Sequence, residues 1–191
     1  MQRKNIIQLV RSFVLLPVVA TTFSTGPIAY RTPAPVVSQV QQYIETADPA
    51  AIKQALQEEQ AQKIKAYFRD RGMPLADYAM KMVVEAEKNG LDWRVVAAVA
   101  VRESTGGKFA CKNPKAPNNP FGWHSCKAGF ATMDIAIETV ARNLGGNNPN
   151  TAHHYDGTLR ENLDTYNGRA VLTYADDVFD IMDKMEKYEI S

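Results

Sequence analysis

A chain of 191 residues with 45% hydrophobic and 23% charged side chains has the composition of an ordinary soluble globular protein, long enough for one domain and additional segments. Its formal net charge is +1 and it contains no run of Lys or Arg, so no nucleic-acid partner is expected. A core of about 110–120 residues folds without metals or many disulfides.

Taken in chain order, Arg3, Lys4 and Arg11 precede an uncharged stretch from Ser12 to Phe23, rich in Val and Leu and interrupted by Pro17. The stretch suits the apolar region of a signal peptide and is shorter than the about 20 residues a spanning helix needs. Small residues follow (Ser24, Thr25, Gly26, Ala29), without a clean Ala-x-Ala site. Residues 1–29 therefore read as a signal peptide or, alternatively, an uncleaved membrane anchor. Both readings put the bulk of the chain outside the cytoplasm.

Tyr30 to Val40, with Pro33 and Pro35, reads as a linker. Asp48 followed by Pro49 signals an N-cap and first helical residue, opening a polar helix to about Asp70 that Gly72 and Pro74 stop. Its apolar residues are sparse: Ile52, Leu56, Ile64, Tyr67 and Phe68. Linker and polar helix together occupy 30–73, and the helix is either a spacer or packed on the domain that follows.

From Leu75 the pattern sharpens, and 74–191 reads as the main domain. Leu75, Ala79, Met82, Val83 and Ala86 share one helical face, ended at Gly90. Asp92 caps a second helix, nearly all apolar from Trp93 to Val101, which runs into Arg102-Glu103-Ser104 and breaks at Gly106-Gly107. Lys108 to Phe130 is an irregular lobe with room for a short hairpin. Thr132 caps a helix with Met133, Ala136, Ile137, Val140, Ala141 and Leu144 as its apolar stripe, stopped by Gly145-Gly146. Asn147 to Gly157 is a polar loop. A short helix around Leu159, Leu163 and Tyr166 ends at Asn167-Gly168. The last helix turns Ala175, Val178, Phe179, Met182 and Met185 inward, with Asp176 and Asp177 favouring its start. The class is mainly α.

Cys111 and Cys126 are the two cysteines, and an even count in an exported chain points to one disulfide, which would stabilise by about 3 kcal/mol. The alternative is a zinc site using them with His124 and His153 or His154, in an exported metal-binding protein. No Cys-x-x-Cys or His-x-x-x-His spacing supports it, and no metal or cofactor is expected.

Glu103 stands out. Val96, Val99, Ala100 and Glu103 share one face of the apolar helix. A carboxylate leaving such a face is partly desolvated, which raises its pKa and suits a general acid. The plainer alternative is a helix-end glutamate pointing to solvent beside Arg102.

Gly90-Leu91-Asp92 opening an apolar helix, followed by Val101-Arg102-Glu103-Ser104-Thr105-Gly106-Gly107, resembles the catalytic-helix signature of the lysozyme-like superfamily. Asn118-Asn119-Pro120-Phe121-Gly122-Trp123 resembles the Asn-Pro/Leu-Phe-Gly element of its endo-β-N-acetylglucosaminidase branch. Thr165-Tyr166-Asn167-Gly168 resembles the Ala-Tyr-Asn-Ala-Gly element of soluble lytic transglycosylases, with Thr165 in first place and no second alanine. Tyr174, followed by Val178, resembles the tyrosine of the final helix in both groups. The Gly-Leu-Met-Gln element of the transglycosylases is absent.

The resemblance spans about Leu75 to Glu189. It implies a lysozyme-like helical domain with an irregular disulfide-closed lobe. The implied activity is cleavage of β-1,4-linked amino sugars in peptidoglycan, whose glycan strands would be the partner. Glu103 would be the catalytic acid, with Tyr174 beside it. Ser104, Asn119, Phe121, Gly122, Trp123 and Tyr166 would bind substrate. Lys108, Lys112, Lys115 and Lys127 would face the anionic wall or simply solvent.

The second carboxylate of ordinary glycoside hydrolysis has no obvious source. No Asp or Glu lies between Glu103 and Asp134. Asp134 and Glu138, with Arg142 next in line, read as solvated ion-pair residues, and Asp156-Gly157 as a turn. Glu161 and Asp164 remain. A lone Glu103 suits a lytic transglycosylase, and the rival from another class is a non-catalytic wall-binding domain.

Overall fold

The computed structural model describes residues 48–189; the signal or anchor segment and the linker expected before them lie outside the described residues. By its contacts the chain divides into two units, 1–56 and 57–191. Of the first, the described part is the start of helix α1 (Pro49–Asp70), where Asp48 accepts a hydrogen bond from the Ala50 N–H at 3.0 Å. The expected boundary at 73/74 does not coincide with this division. The second unit begins within α1 and takes in its C-terminal half, whose Ile64, Tyr67 and Phe68 are buried in the core.

The second unit is helical, and no strand occurs among the described residues, so the lobe carries no hairpin. A 3-10 turn at Pro74–Tyr78 leads into α2 (Ala79–Lys88). Then follow α3 (Val95–Ser104), α4 (Met133–Leu144), α5 (Leu159–Tyr166) and α6 (Tyr174–Glu186). The expected apolar stripes are the buried faces: Ala79, Met82, Val83 and Ala86 of α2, Ala136, Ile137, Val140, Ala141 and Leu144 of α4, and Ala175, Val178, Met182 and Met185 of α6. No helix among the described residues is long and apolar enough to cross a membrane.

Helix α3 is the centre of the core, packing most extensively on α6 and also on α2 and α4. Val95 through Ala100 are fully buried. Its four valines are individually weak helix formers, and its three alanines together with burial on all sides override that preference. It starts at Val95 rather than Trp93, because the Asp92 carboxylate takes both the Arg94 N–H (3.0 Å) and the Arg94 guanidinium (2.7 Å) and holds these residues in a turn. Its end is abrupt. Thr105 is left-handed (φ 53°), its N–H donates to the Val101 carbonyl and the Gly106 N–H to the Ala100 carbonyl. Gly106 is required there, since a Cβ would lie 2.7 Å from Met73 Cβ. The helix thus ends at Ser104, leaving Glu103 on its last turn.

Candidate active site

Glu103 emerges from the fully buried face of α3 toward the first turn of α6. There the Tyr174 hydroxyl donates to its Oε1 at 2.6 Å. Burial raises the Glu103 pKa above the ordinary carboxylate value; the Tyr174 hydrogen bond and the Arg102 charge oppose this without cancelling it. Arg102 is itself held by Asp177 at 3.0 Å. Burial and the neighbouring Glu103 also push the Tyr174 phenol up, so it stays a protonated donor.

The other oxygen, Oε2, faces Gly122. That residue is left-handed (φ 64°), and a Cβ there would sit 2.6 Å from Oε2. Both facts demand glycine, and together they leave the space in front of Oε2 clear. With Oε1 occupied by a donor, a proton on this carboxyl resides on Oε2.

A cavity of about 770 Å³ opens at this point. Glu103, Phe121, Gly122, Trp123 and Tyr166 line it, five of the residues expected at the site. Tyr166 joins two of the elements: its hydroxyl donates to the Phe121 carbonyl at 2.7 Å, tying α5 to the lobe. The Trp123 ring packs near Phe130 and Tyr166, at 5.9 and 6.2 Å between centroids.

Three expected site residues have other duties. Tyr174 does not line the cavity; it is 1% exposed behind the carboxylate, which it holds through its hydroxyl. Ser104 is buried, donating to the Ala100 carbonyl (3.2 Å) and accepting from the Gly107 N–H (2.9 Å), so its hydroxyl fastens the helix end. Asn119 is also buried. Its amide donates to the Trp123 and Ala128 carbonyls and accepts from the Trp123 N–H. It shapes the turn that carries Gly122 and does not reach the cavity.

Glu103 is the one acidic residue among the described residues lining the cavity. Glu161 is spent on a capping box with Thr158, and those hydrogen bonds hold its pKa below the ordinary value. Asp164 is off the cavity wall. Glu85, buried in α2, is paired with Lys81 at 3.0 Å and Lys88 at 3.5 Å. Asp134 is exposed, and the ion pairs among the described residues include neither it nor Glu138 and Arg142, contrary to expectation. Lys108, Lys112, Lys115 and Lys127 are exposed and off the cavity.

Cys111 and Cys126 form a disulfide, their Cα atoms 5.5 Å apart, which removes them as zinc ligands. Among the described residues no group of three or more His, Cys, Asp or Glu is placed to hold a metal.

Two parts of the wall were not anticipated. One is His124-Ser125-Cys126, three successive non-glycine residues with positive φ (49°, 52° and 60°). The other is Asn143, Thr151, His154 and Tyr155. Asn143 is buried in α4, and its carbonyl accepts from the Thr151 hydroxyl and from Asn148 Nδ2 (3.3 Å), anchoring the loop after the helix. A polar residue at the seventh position from Ala136 and the third from Val140 on a buried stripe was the available signal. Compared with family models, curated proteins and solved structures, the chain matches none.

Proposed function

We propose that this is a lysozyme-like, peptidoglycan-cleaving domain in which Glu103 is the general acid, working in the lytic-transglycosylase manner. The observation that carries the reading is a carboxyl with a raised pKa, one oxygen held by Tyr174 and the other open at Gly122, on a cavity whose described lining holds no second acid. In this reading Oε2 gives its proton to the bridging oxygen of a β-1,4 linkage between amino sugars. The bond from that oxygen to the anomeric carbon breaks and the leaving sugar departs as an alcohol. The Glu103 carboxylate then takes the proton of a hydroxyl on the sugar that keeps the anomeric carbon, and that hydroxyl's oxygen closes onto the anomeric carbon as an anhydro ring. No second carboxylate is needed, whereas two-carboxylate hydrolysis requires one within about 10 Å. The disulfide supports an oxidising, extracytoplasmic location, and the partner is the wall's glycan strand.

Digestion of purified cell walls by wild type and Glu103→Gln tests this. Wild type releases muropeptides with anhydro ends, lighter by one water than hydrolysis products, and the variant loses about 10²- to 10⁴-fold. Reducing ends would show hydrolysis instead. Equal release by both proteins, or none from either, would overturn the catalytic reading in favour of a wall-binding domain.

A further inference from the structure

The turn His124-Ser125-Cys126 presents a physical puzzle. Each residue is in the left-handed region, where a Cβ is unfavourable and glycine is not. The turn is held by several restraints at once. The Cys111–Cys126 disulfide fixes its end, Asn113 Nδ2 donates to the Cys126 carbonyl at 3.0 Å, and the Lys127 N–H donates to the His124 carbonyl at 3.0 Å. The disulfide accounts for Cys126. His124 and Ser125 are exposed, the His124 ring lying 5.4 Å from that of Trp123 on the same wall, and glycines would make the same turn with less strain. Both residues line the cavity that holds Glu103. Strain retained at a cavity wall, where an unstrained residue would serve the backbone equally well, indicates that the side chains are used.

Their chemistry indicates for what. The imidazole and the hydroxyl are both hydrogen-bond donors. His154 brings a second imidazole to the same cavity from the 3-10 turn Ala152–His154. No Lys or Arg is among the described residues that line it, so the imidazoles are the basic side chains there, and their N–H groups are donors for an anion. We propose that His124 and Ser125, together with His154, form the specificity element of the cleft and grip a carboxylate-bearing substituent on the amino-sugar strand. The proposal rests on reading the cavity as a glycan cleft and names which glycan it selects.

The test reads binding without turnover, in the Glu103→Gln background. His124→Gly and Ser125→Gly are compared with their parent for affinity toward purified cell walls and toward an uncharged hexamer of N-acetylglucosamine. Thermal melting is followed in parallel. Wall affinity is expected to fall about tenfold, the size of one charge-assisted hydrogen bond, and clearly more than hexamer affinity. The melting temperature stays level or rises, because glycine relieves the turn. Unchanged wall affinity would overturn the proposal, as would equal loss toward both ligands. Loss of affinity together with lower melting temperature would mark the turn as structural and overturn it too. Wall digestion by the Glu103-intact protein reads the cleavage step separately, so its failure counts against the enzyme reading and leaves the binding comparison decisive for this one.

Discussion

Tyr174→Phe removes one oxygen, the donor 2.6 Å from Glu103 Oε1, and keeps the ring that packs against α3 and Tyr166. In the wild type this hydrogen bond favours the ionised carboxyl, against the larger effect of burial. Its loss therefore makes ionisation harder still. A hydrogen bond to a charged group is worth about 1.5–3 kcal/mol, or about 10- to 100-fold in an ionisation constant. Glu103 is half-buried and partly solvated, so the low end, about tenfold, applies. A general acid is active while protonated, so the alkaline limb of the kcat/KM profile moves to higher pH in the variant. The rate at its plateau falls as well, because the carboxyl loses its positioning contact. Carbon-13 NMR titration of labelled glutamate carboxyls reads the same shift without substrate. An alkaline limb that stays in place, or moves to lower pH, would refute the claim that Tyr174 acts through the ionisation of Glu103.

Glu103→Gln gives a stability test of the same desolvation. The folded pKa lies above the unfolded one, so this group's stabilising contribution is complete below the unfolded value and is lost as pH rises through the folded value. Thermal melts should therefore show the Gln variant gaining on wild type as pH rises from the ordinary carboxylate value through the raised folded one, and a constant difference would contradict the burial argument. Gly122→Ala adds a Cβ at positive φ, costing about 1–2 kcal/mol, and pushes it into Oε2. Displacing the carboxyl by about 1 Å lowers wall cleavage about 10²-fold in a protein that still melts cooperatively. Reducing the disulfide, or replacing both cysteines by Ala, removes the constraint on a loop of sequence separation 15 and costs about 3 kcal/mol, measured by urea unfolding with and without reductant.

The helices were legible because each buries one face, and a 3.6-residue period writes that face into the sequence. The stripes of α2, α4 and α6 follow their apolar residues closely, and Gly90, Gly145 and Gly168 lie at or just beyond helix ends. Misreadings arose where a local side-chain bond competes with that period. Asp92 captures Arg94 and delays α3 by two residues. Polarity averaged over the whole of α1 conceals that Ile64, Tyr67 and Phe68 gather on its last two turns, where they enter the core of the second unit. Phe179, expected inward, is half-buried, with the Arg160 guanidinium 5.1 Å from its ring.

At the site, motif and chemistry point in different directions for different side chains, and hydrogen-bond satisfaction separates them. Ser104 and Asn119 stand within motifs that suggest contact with a ligand, yet both are buried in sharp turns, where backbone groups lie closest and must find partners. A short polar side chain in such a place is consumed by the fold: two bonds for Ser104, three for Asn119. Glu103 differs because its site satisfies only half of it. Tyr174 occupies Oε1, while Gly122, lacking a side chain, keeps Oε2 open to the cavity. A buried face had predicted a raised pKa for this carboxyl. What the sequence could not convey is the asymmetry between its two oxygens, which depends on a left-handed backbone 19 positions away. That asymmetry assigns the proton to one atom, and an acid with an addressed proton is what a single-carboxylate mechanism requires.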